Sequence, residues 1–424
     1  MKQPKILKLA NGLRAVLTPQ PEAPTTTALV LVCAGSEYET PKESGISHFL
    51  EHLAFKGSKK YPKPGQISHE LETLGAQTNA WTAEDHTAYY AKAQSGKSER
   101  ILEIVSELHL DPLIDPVEVD KERGVIIEEI AMYEDLPQRR VGEFWQHLLY
   151  GDQPAGRSIA GTKETVRKIT RDEVADYRAR RYRAPETVVT LAGGFDPDEA
   201  ARFIKKRFAA LDARPATKKP KTRESQAKPG LSLTEKKSDQ AHLVLGFRAF
   251  PMGSAHEHTL DALATVLGGG MSSRLFMRIR EELGAAYYVH AWNDASSDHG
   301  SLGVSVGANV DKVDAVIQAV LDEYHRLTTE LVSPREMKRA RDFQIGSFLM
   351  GLESSDAIAT QHGLNLLLKG RVIPVRETVA AIKAVTAEDI RRVARKVIRE
   401  EALNLAAIGP NLKEAHFRKL LRLG

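Results

Sequence analysis

The sequence predicts an α+β fold of two homologous domains, each a largely antiparallel sheet packed with helices and joined by a linker. Three observations predict it: a polar interruption near mid-chain, the same order of strand-like and helical segments on either side of it, and alternating strand sequence beside long amphipathic runs. The interruption, Ala213 to Lys228, reads ARPATKKPKTRESQAK and has almost no large apolar residue, as a surface linker should. It sets an N-terminal domain at residues 1–212, a linker at 213–228 and a C-terminal domain at 229–424.

In chain order, the apolar run Ala28 to Cys33 reads as strand, and Ile46, Phe49, Leu50, Leu53 and Ala54 recur at helical spacing. Thr87-Ala88-Tyr89-Tyr90-Ala91 alternates as a strand does. Asp115-Pro116-Val117-Glu118, a capping residue with Pro at the first helical position, opens a helix over Val117 to Tyr133. Thr170-Arg171-Asp172-Glu173 caps another, which leads to the strand Thr187 to Ala192. After the linker the same signals return: the strand Ser301 to Val306, Ser333-Pro334-Arg335-Glu336, Thr386-Ala387-Glu388-Asp389, and the strand Leu403 to Ile408. The offsets, 216 (386 − 170) and 218 (334 − 116), agree within two residues and mark an internal duplication, with helices expected on one face of each sheet.

Composition narrows the function. The 424 residues are 42% hydrophobic and 27% charged, and 60 Lys+Arg against 56 Asp+Glu leave a formal charge of +4. That excess is too small to argue for nucleic acid or an anionic membrane as a partner. Cys33 is the single cysteine, so any metal must be held by histidines and carboxylates. No signal peptide opens the sequence and no apolar run approaches the length of a membrane span, so a cytoplasmic protein is expected.

The chemistry lies in Ser44-Gly45-Ile46-Ser47-His48-Phe49-Leu50-Glu51-His52-Leu53. Helical spacing puts His48 and His52 one turn apart on one face, aimed at one point, as two nitrogen ligands of a tetrahedral zinc ion would be. Glu51 stands on the adjoining face, where a carboxylate can take a proton from water, and the HxxEH order is the inverzincin signature. A third ligand is expected from the helix VEVDKERGVIIEEIAMY. Glu122 and Glu129 share a stripe there, Glu128 points about 100° away, and spacing alone leaves Glu128 and Glu129 both open.

HFLEHLAFKG followed by ERGVIIEEIAMYED closely resembles the inverted zincin peptidases, the family of pitrilysin, insulin-degrading enzyme and the mitochondrial processing peptidase β subunit, and the resemblance extends over the whole chain. It implies one Zn²⁺ per chain on His48, His52 and Glu129, with Glu51 as general base and Glu122 as the residue that assists the site. It also implies that Asn79-Ala80-Trp81-Thr82 is an edge strand that pairs with substrate backbone. In the second half Arg280 and Tyr287, seven apart, match the family's pair that holds the scissile carbonyl, where a guanidinium and a phenol can stabilise an oxyanion.

The duplication supplies a control: the 218 offset carries Glu122 and Glu129 onto Ala340 and Ser347, and no HxxEH follows the linker. The expected function is therefore a zinc metalloendopeptidase acting on peptides or short unfolded segments in an enclosed cavity faced by both halves. A homodimer is expected, the zinc residues of one subunit facing Arg280 and Tyr287 of the other, with a heterodimer as the next possibility. The rival readings are a non-catalytic scaffold of the same fold and a metal-dependent hydrolase of non-peptide substrates.

Overall fold

The computed structural model describes residues 4–423. In chain order its main elements are β1 (Lys5–Lys8), β2 (Arg14–Pro19), β3 (Thr25–Val32), α1 (Ile46–Ala54), β4 (Gln77–Thr82), β5 (Thr87–Gln94), α2 (Ser98–Leu110), α3 (Pro116–Glu134), α4 (Pro137–Tyr150), α5 (Arg171–Arg181), β6 (Thr187–Gly193), β7 (Gly230–Glu235), β8 (Gln240–Ala249), α6 (Glu257–Gly268), β9 (Ala286–Ala295), β10 (Gly300–Asn309), α7 (Val313–Thr329), α8 (Pro334–Met350), α9 (Ser355–Leu368), α10 (Ala387–Val397) and β11 (Asn404–Gly409). The helix starts follow the capping residues. Backbone N–H groups donate to Asp115, Thr170, Ser333 and Thr386 at 2.8, 3.2, 3.3 and 3.1 Å, each cap contributing about 1 kcal/mol. Among the described residues no helix is long and apolar enough to cross a membrane.

Two compact units result. The first comprises residues up to Ile130, Ser158–Pro220 and Leu349–Pro374; the second comprises Ala131–Arg157, Lys221–Phe348 and Val375 onward. The first unit's sheet runs β1-β2-β6-β3-β5-β4, antiparallel except for β2 with β6. On one face Ala28, Val30, Val32, Val189 and Leu191 join Phe49 and Leu50 of α1 and Ile101, Leu102 and Val105 of α2 in one core. The opposite face is covered by α9, which comes from the second half of the chain. There a Cβ on Gly363 would lie 2.5 Å from the Leu31 Cδ1 and 2.8 Å from the Thr190 Oγ1, so glycine admits a contact that no larger residue could make. That face also carries hydroxyls, two of which α9 meets: His362 Nδ1 lies 2.9 Å from Thr18 Oγ1 and Ser355 Oγ 2.8 Å from Thr27 Oγ1.

The second unit's sheet runs β7-β11-β8-β10-β9, antiparallel except for β7 with β11. Its main core joins Leu243, Leu245, Leu405 and Ala407 to residues of α6, α7 and α10. The other face packs Val244, Ala406 and Ile408 against Val141, Trp145, Leu149 and Tyr150 of α4, which belongs to the first half. The Tyr150 hydroxyl donates to Gly300 O at 2.9 Å and Arg248 Nε to Leu149 O at 2.9 Å, fixing the C-terminal end of α4.

Each half thus lends a helix to the other's sheet. Helices on one face, the sequence expectation, is corrected to helices on both: the central strands are buried through their whole length because the second cover comes from the distant half of the chain. The sequence expectation divides the chain in order, 1–212 and 229–424, whereas the compact units each gather a helical piece from across the linker, which itself carries no helix or strand and is divided between Pro220 and Lys221.

The first core also holds His109 of α2, fully buried and stacked on Tyr182 at 5.2 Å between ring centroids, with no hydrogen-bond partner at Nδ1. Burial, reinforced by the Arg178 guanidinium, pushes its pKa down to about 3. An unfolded histidine takes its proton near about 6.5. The stability this neutral imidazole contributes is therefore complete above pH ~6.5 and is lost as pH falls toward the folded value.

Two outcomes follow from this architecture. Residues 1–220 and 221–424 expressed apart leave each sheet with one bare apolar face; neither piece unfolds cooperatively in urea, whereas co-expression yields a soluble complex that does. His109→Phe lowers the loss of unfolding free energy between pH 7 and pH 5 by about 2 kcal/mol relative to wild type, read from urea titrations at both pH values.

Candidate metal centre

Helix α1 is short, and its placement rests on its ends and its inner face. Gly45 takes the left-handed conformation, φ 95°, and the buried Glu39 carboxylate accepts the Gly45 and Ser47 N–H groups at 2.8 and 2.9 Å. A carboxylate at this N-terminus satisfies two orphan donors and complements the helix dipole. Ile46, Phe49, Leu50, Leu53 and Ala54 are buried, which turns His48 and His52 to the opposite side. Helix α3 crosses above them. It is anchored by Val119, Ile126 and Ile130 and by Arg123 Nη1, which donates to Val166 O and Ile169 O at 2.7 Å each.

Three donor atoms meet where the helices cross. His48 Nε2 and His52 Nε2 are 3.3 Å apart, and Glu129 Oε2 lies 3.5 Å from the first and 3.4 Å from the second. Ligands at the usual zinc distances of about 2.0–2.1 Å define tetrahedral edges of about 3.3–3.4 Å, so this triangle has the size of one tetrahedral face. Glu128, left open by spacing, is exposed, whereas Glu129 turns inward to the histidines.

Glu122 reaches the other side of the ring. Its Oε2 accepts from His52 Nδ1 at 3.2 Å and its Oε1 pairs with Lys56 Nζ at 2.7 Å. With the proton on Nδ1, the Nε2 lone pair faces His48 and Glu129, as a metal ligand requires. Burial acts to lower the His52 pKa, but the Glu129 and Glu122 carboxylates outweigh it and the pKa is raised. A site with that pull on a proton has the charge balance of a cation site, and its His₂Glu donor set suits zinc.

Glu51 stands beside this triangle. Burial pushes its carboxyl above the ordinary value, against the pull of the Thr82 Oγ1–H, which donates to Glu51 Oε2 at 2.7 Å. Thr82 ends β4, the edge strand, which pairs with β5 on one side through Asn79 opposite Tyr90 and Trp81 opposite Ala88. The exposed Asn79 folds its own Oδ1 onto the Ala80 N–H at 2.9 Å. Trp81 is half-buried; its Nε1 donates to His86 Nε2 at 3.0 Å, and the His86 Nδ1 is 2.8 Å from Asp85 Oδ1. Sequence reasoning gave no role to Lys56 or Glu39 and met Asp85 and His86 only as the segment that follows the edge strand; Lys56 carried a signal, four residues beyond His52 on the same stripe.

Arg280 and Tyr287 lie in the second unit. The segment Phe276–Glu282 is a π-helix, a wide turn that the sequence pattern did not announce, and Arg280 is exposed at its end. Its guanidinium lies 5.1 Å from the Phe276 ring centroid and 5.4 Å from that of Tyr287, and Nη1 donates to Tyr287 O at 2.9 Å. Tyr287 opens β9 and is 74% exposed, so its hydroxyl is spent on nothing in the core. At the duplicated positions Ala340 is buried and Ser347 is exposed on α8; neither offers a carboxylate.

Two family models match successive stretches of the chain. The family model of insulinase (peptidase family M16) matches residues 14–163 and that of the peptidase M16 inactive domain matches residues 168–343. An uncharacterized zinc protease of Streptomyces coelicolor is 34% identical, over 97% of this chain and 90% of its own. Another from Bacillus subtilis is 32% identical, over 95% of this chain and 97% of its own. Among solved structures, a protease from Helicobacter pylori superposes with a TM-score of 0.90 at 22% identity, covering 96% of this chain and 99% of that one. A protein from Pseudomonas fluorescens described as a peptidase M16 inactive domain gives 0.89 at 18% identity, with 97% and 99% covered. At those identities the structural likeness is one of fold.

The triangle predicts metal content directly. Glu129→Gln and His48→Ala lose bound zinc, measured by elemental analysis after dialysis, whereas Glu128→Gln, whose side chain is exposed, retains the wild-type content.

Proposed function

The chain belongs to peptidase family M16, the insulinase family, and on that premise we propose that it is a zinc metalloendopeptidase cleaving peptides or short unfolded segments. The observation that carries the reading is the triangle of His48, His52 and Glu129 donors at 3.3–3.5 Å with the Glu51 carboxylate beside it. One zinc ion per chain, held by His48, His52 and Glu129, would acidify water and polarise the scissile carbonyl.

The chain's own groups supply the proton transfers and the positioning. Glu51 accepts a proton as water attacks the peptide carbon; a C–O bond forms and the carbonyl oxygen takes up negative charge. When the C–N bond breaks, the protonated Glu51 returns that proton to the leaving nitrogen, so the carboxylate is regenerated. The Thr82 hydroxyl fixes the carboxylate at one oxygen and leaves the other for this traffic. The free edge of β4 offers backbone hydrogen bonds to an extended peptide, a mode of binding that tolerates many sequences. To seat there, a substrate carbonyl would displace the Asn79 Oδ1 from the Ala80 N–H.

Arg280 and Tyr287 complete the proposal as donors to the developing oxyanion. Their exposed tips and their place in the compact unit that lacks the zinc ligands support a shared arrangement in a homodimer, each copy lending the pair to the other's zinc site. A scaffold role would need none of this chemistry.

Activity on a quenched peptide tests both parts. Glu51→Gln keeps its zinc yet loses about 10²–10⁴-fold in kcat. Mixed with an Arg280→Ala chain, it recovers part of the wild-type rate. Full activity of Glu51→Gln would overturn the peptidase reading, and no recovery on mixing would overturn the shared site alone.

A further inference from the structure

Glu122 carries one contact that holding His52 does not explain. Its side chain is among the most buried carboxylates described, 5% exposed, and its two oxygens are divided: Oε2 to His52 Nδ1 at 3.2 Å and Oε1 to Lys56 Nζ at 2.7 Å. Lys56 follows the end of α1, but its N–H still donates to Leu53 O at 3.0 Å. The turn therefore continues, and His48, His52 and Lys56 succeed one another at four-residue intervals along one side.

We propose that Lys56 is a positioning residue of the metal centre, acting through Glu122. This rests on the zinc reading above. A carboxylate held at a single oxygen can swing about its side-chain torsions; held at both, by partners on opposite sides, its plane is fixed. The ammonium of Lys56 pins Oε1 away from the three-donor triangle, so Glu122 stays behind His52 as the acceptor that orients the ring. It does not turn inward to become an additional ligand. Charge points the same way. Glu51, Glu122 and Glu129 bring three negative charges to the site; a dication balances two and Lys56 the third. With its side chain 34% exposed against 5% for Glu122, Lys56 places that balancing charge at the rim, where its other hydrogens stay hydrated and the cost of burying it is small.

Zinc affinity of the full-length protein, measured by competition with a fluorescent chelator, tests the assignment without reference to activity. Loss of an outer partner of a ligating histidine typically costs 10- to 100-fold in metal affinity, and Lys56→Met, acting one step further out, is expected to cost about tenfold. Lys56→Arg should recover most of that loss, and Lys56→Gln stands in for the Met variant if the latter does not fold. The decisive comparison is in a Glu122→Gln background: if Lys56 acts through Glu122, adding Lys56→Met there changes the affinity no further. Unchanged affinity in Lys56→Met, or a tenfold loss that persists in the Glu122→Gln background, overturns the proposal. Wild-type protein that takes up no zinc overturns the metal reading itself and this inference with it. Wild-type protein that binds zinc while Lys56→Met binds it equally well leaves the metal reading standing and removes only the role of Lys56.

Discussion

An imidazole has two nitrogens, and the hydrogen bond from His52 Nδ1 to Glu122 decides what the other can do. With the proton held on Nδ1, Nε2 keeps its lone pair and points it at the space shared with His48 and Glu129. Everything else in the first unit is arranged so that this bond has the right length. Glu39 and the apolar face of α1 set the height and rotation of the histidine pair. Arg123 and the buried stripe Val119, Ile126 and Ile130 set α3, so that one helix presents a carboxylate to each side of the same ring. Helices, and not loops, carry all three donor atoms, His48 and His52 on α1 and Glu129 on α3.

The edge strand and Glu51 are joined by the same economy of parts. Thr82 belongs to the strand that offers its backbone outward, yet its hydroxyl reaches inward to Glu51. A displacement of β4 would therefore be felt at the Glu51 carboxylate directly. The Asp85–His86–Trp81 chain of hydrogen bonds ties down the turn that follows β4, so that the position of Thr82 is set from both ends of the segment.

Much of this was legible in the sequence, and the parts that were not share a cause. Helical spacing of Ile46, Phe49, Leu50 and Leu53 placed both histidines on one side, because a local period carries local geometry. Capping residues at Asp115, Thr170, Ser333 and Thr386 located four helix starts and, through their offsets, the duplication. Spacing alone did not decide between Glu128 and Glu129, since both fit a helix; the family resemblance pointed to Glu129, and the packing of α3 turns that residue inward and Glu128 outward. The covering of each sheet by a helix from the other half left no local trace either: α4 is an amphipathic segment like any other, α9 does not sort its polar and apolar residues onto separate faces, and nothing in either sequence names the sheet it covers. The wide turn at Phe276–Glu282, which presents Arg280, escaped for a similar reason, because a single π turn imposes no repeat to detect.

The exchange of helices has a bearing on how the chain is born. Every donor of the three-atom cluster has been synthesised once Glu129 is made, and the last strand of its sheet once Gly193 is made, but the helix that seals the far side of that sheet ends only at Leu368. At typical synthesis rates of about 5–20 residues per second, the interval from Gly193 to Leu368 lasts on the order of 10–35 s. For that time Leu29, Leu31 and Val188 line an uncovered surface on a nascent polypeptide, the kind of surface that recruits chaperones or sticks to its neighbours. The metal-binding part of this protein is thus begun first and finished nearly last.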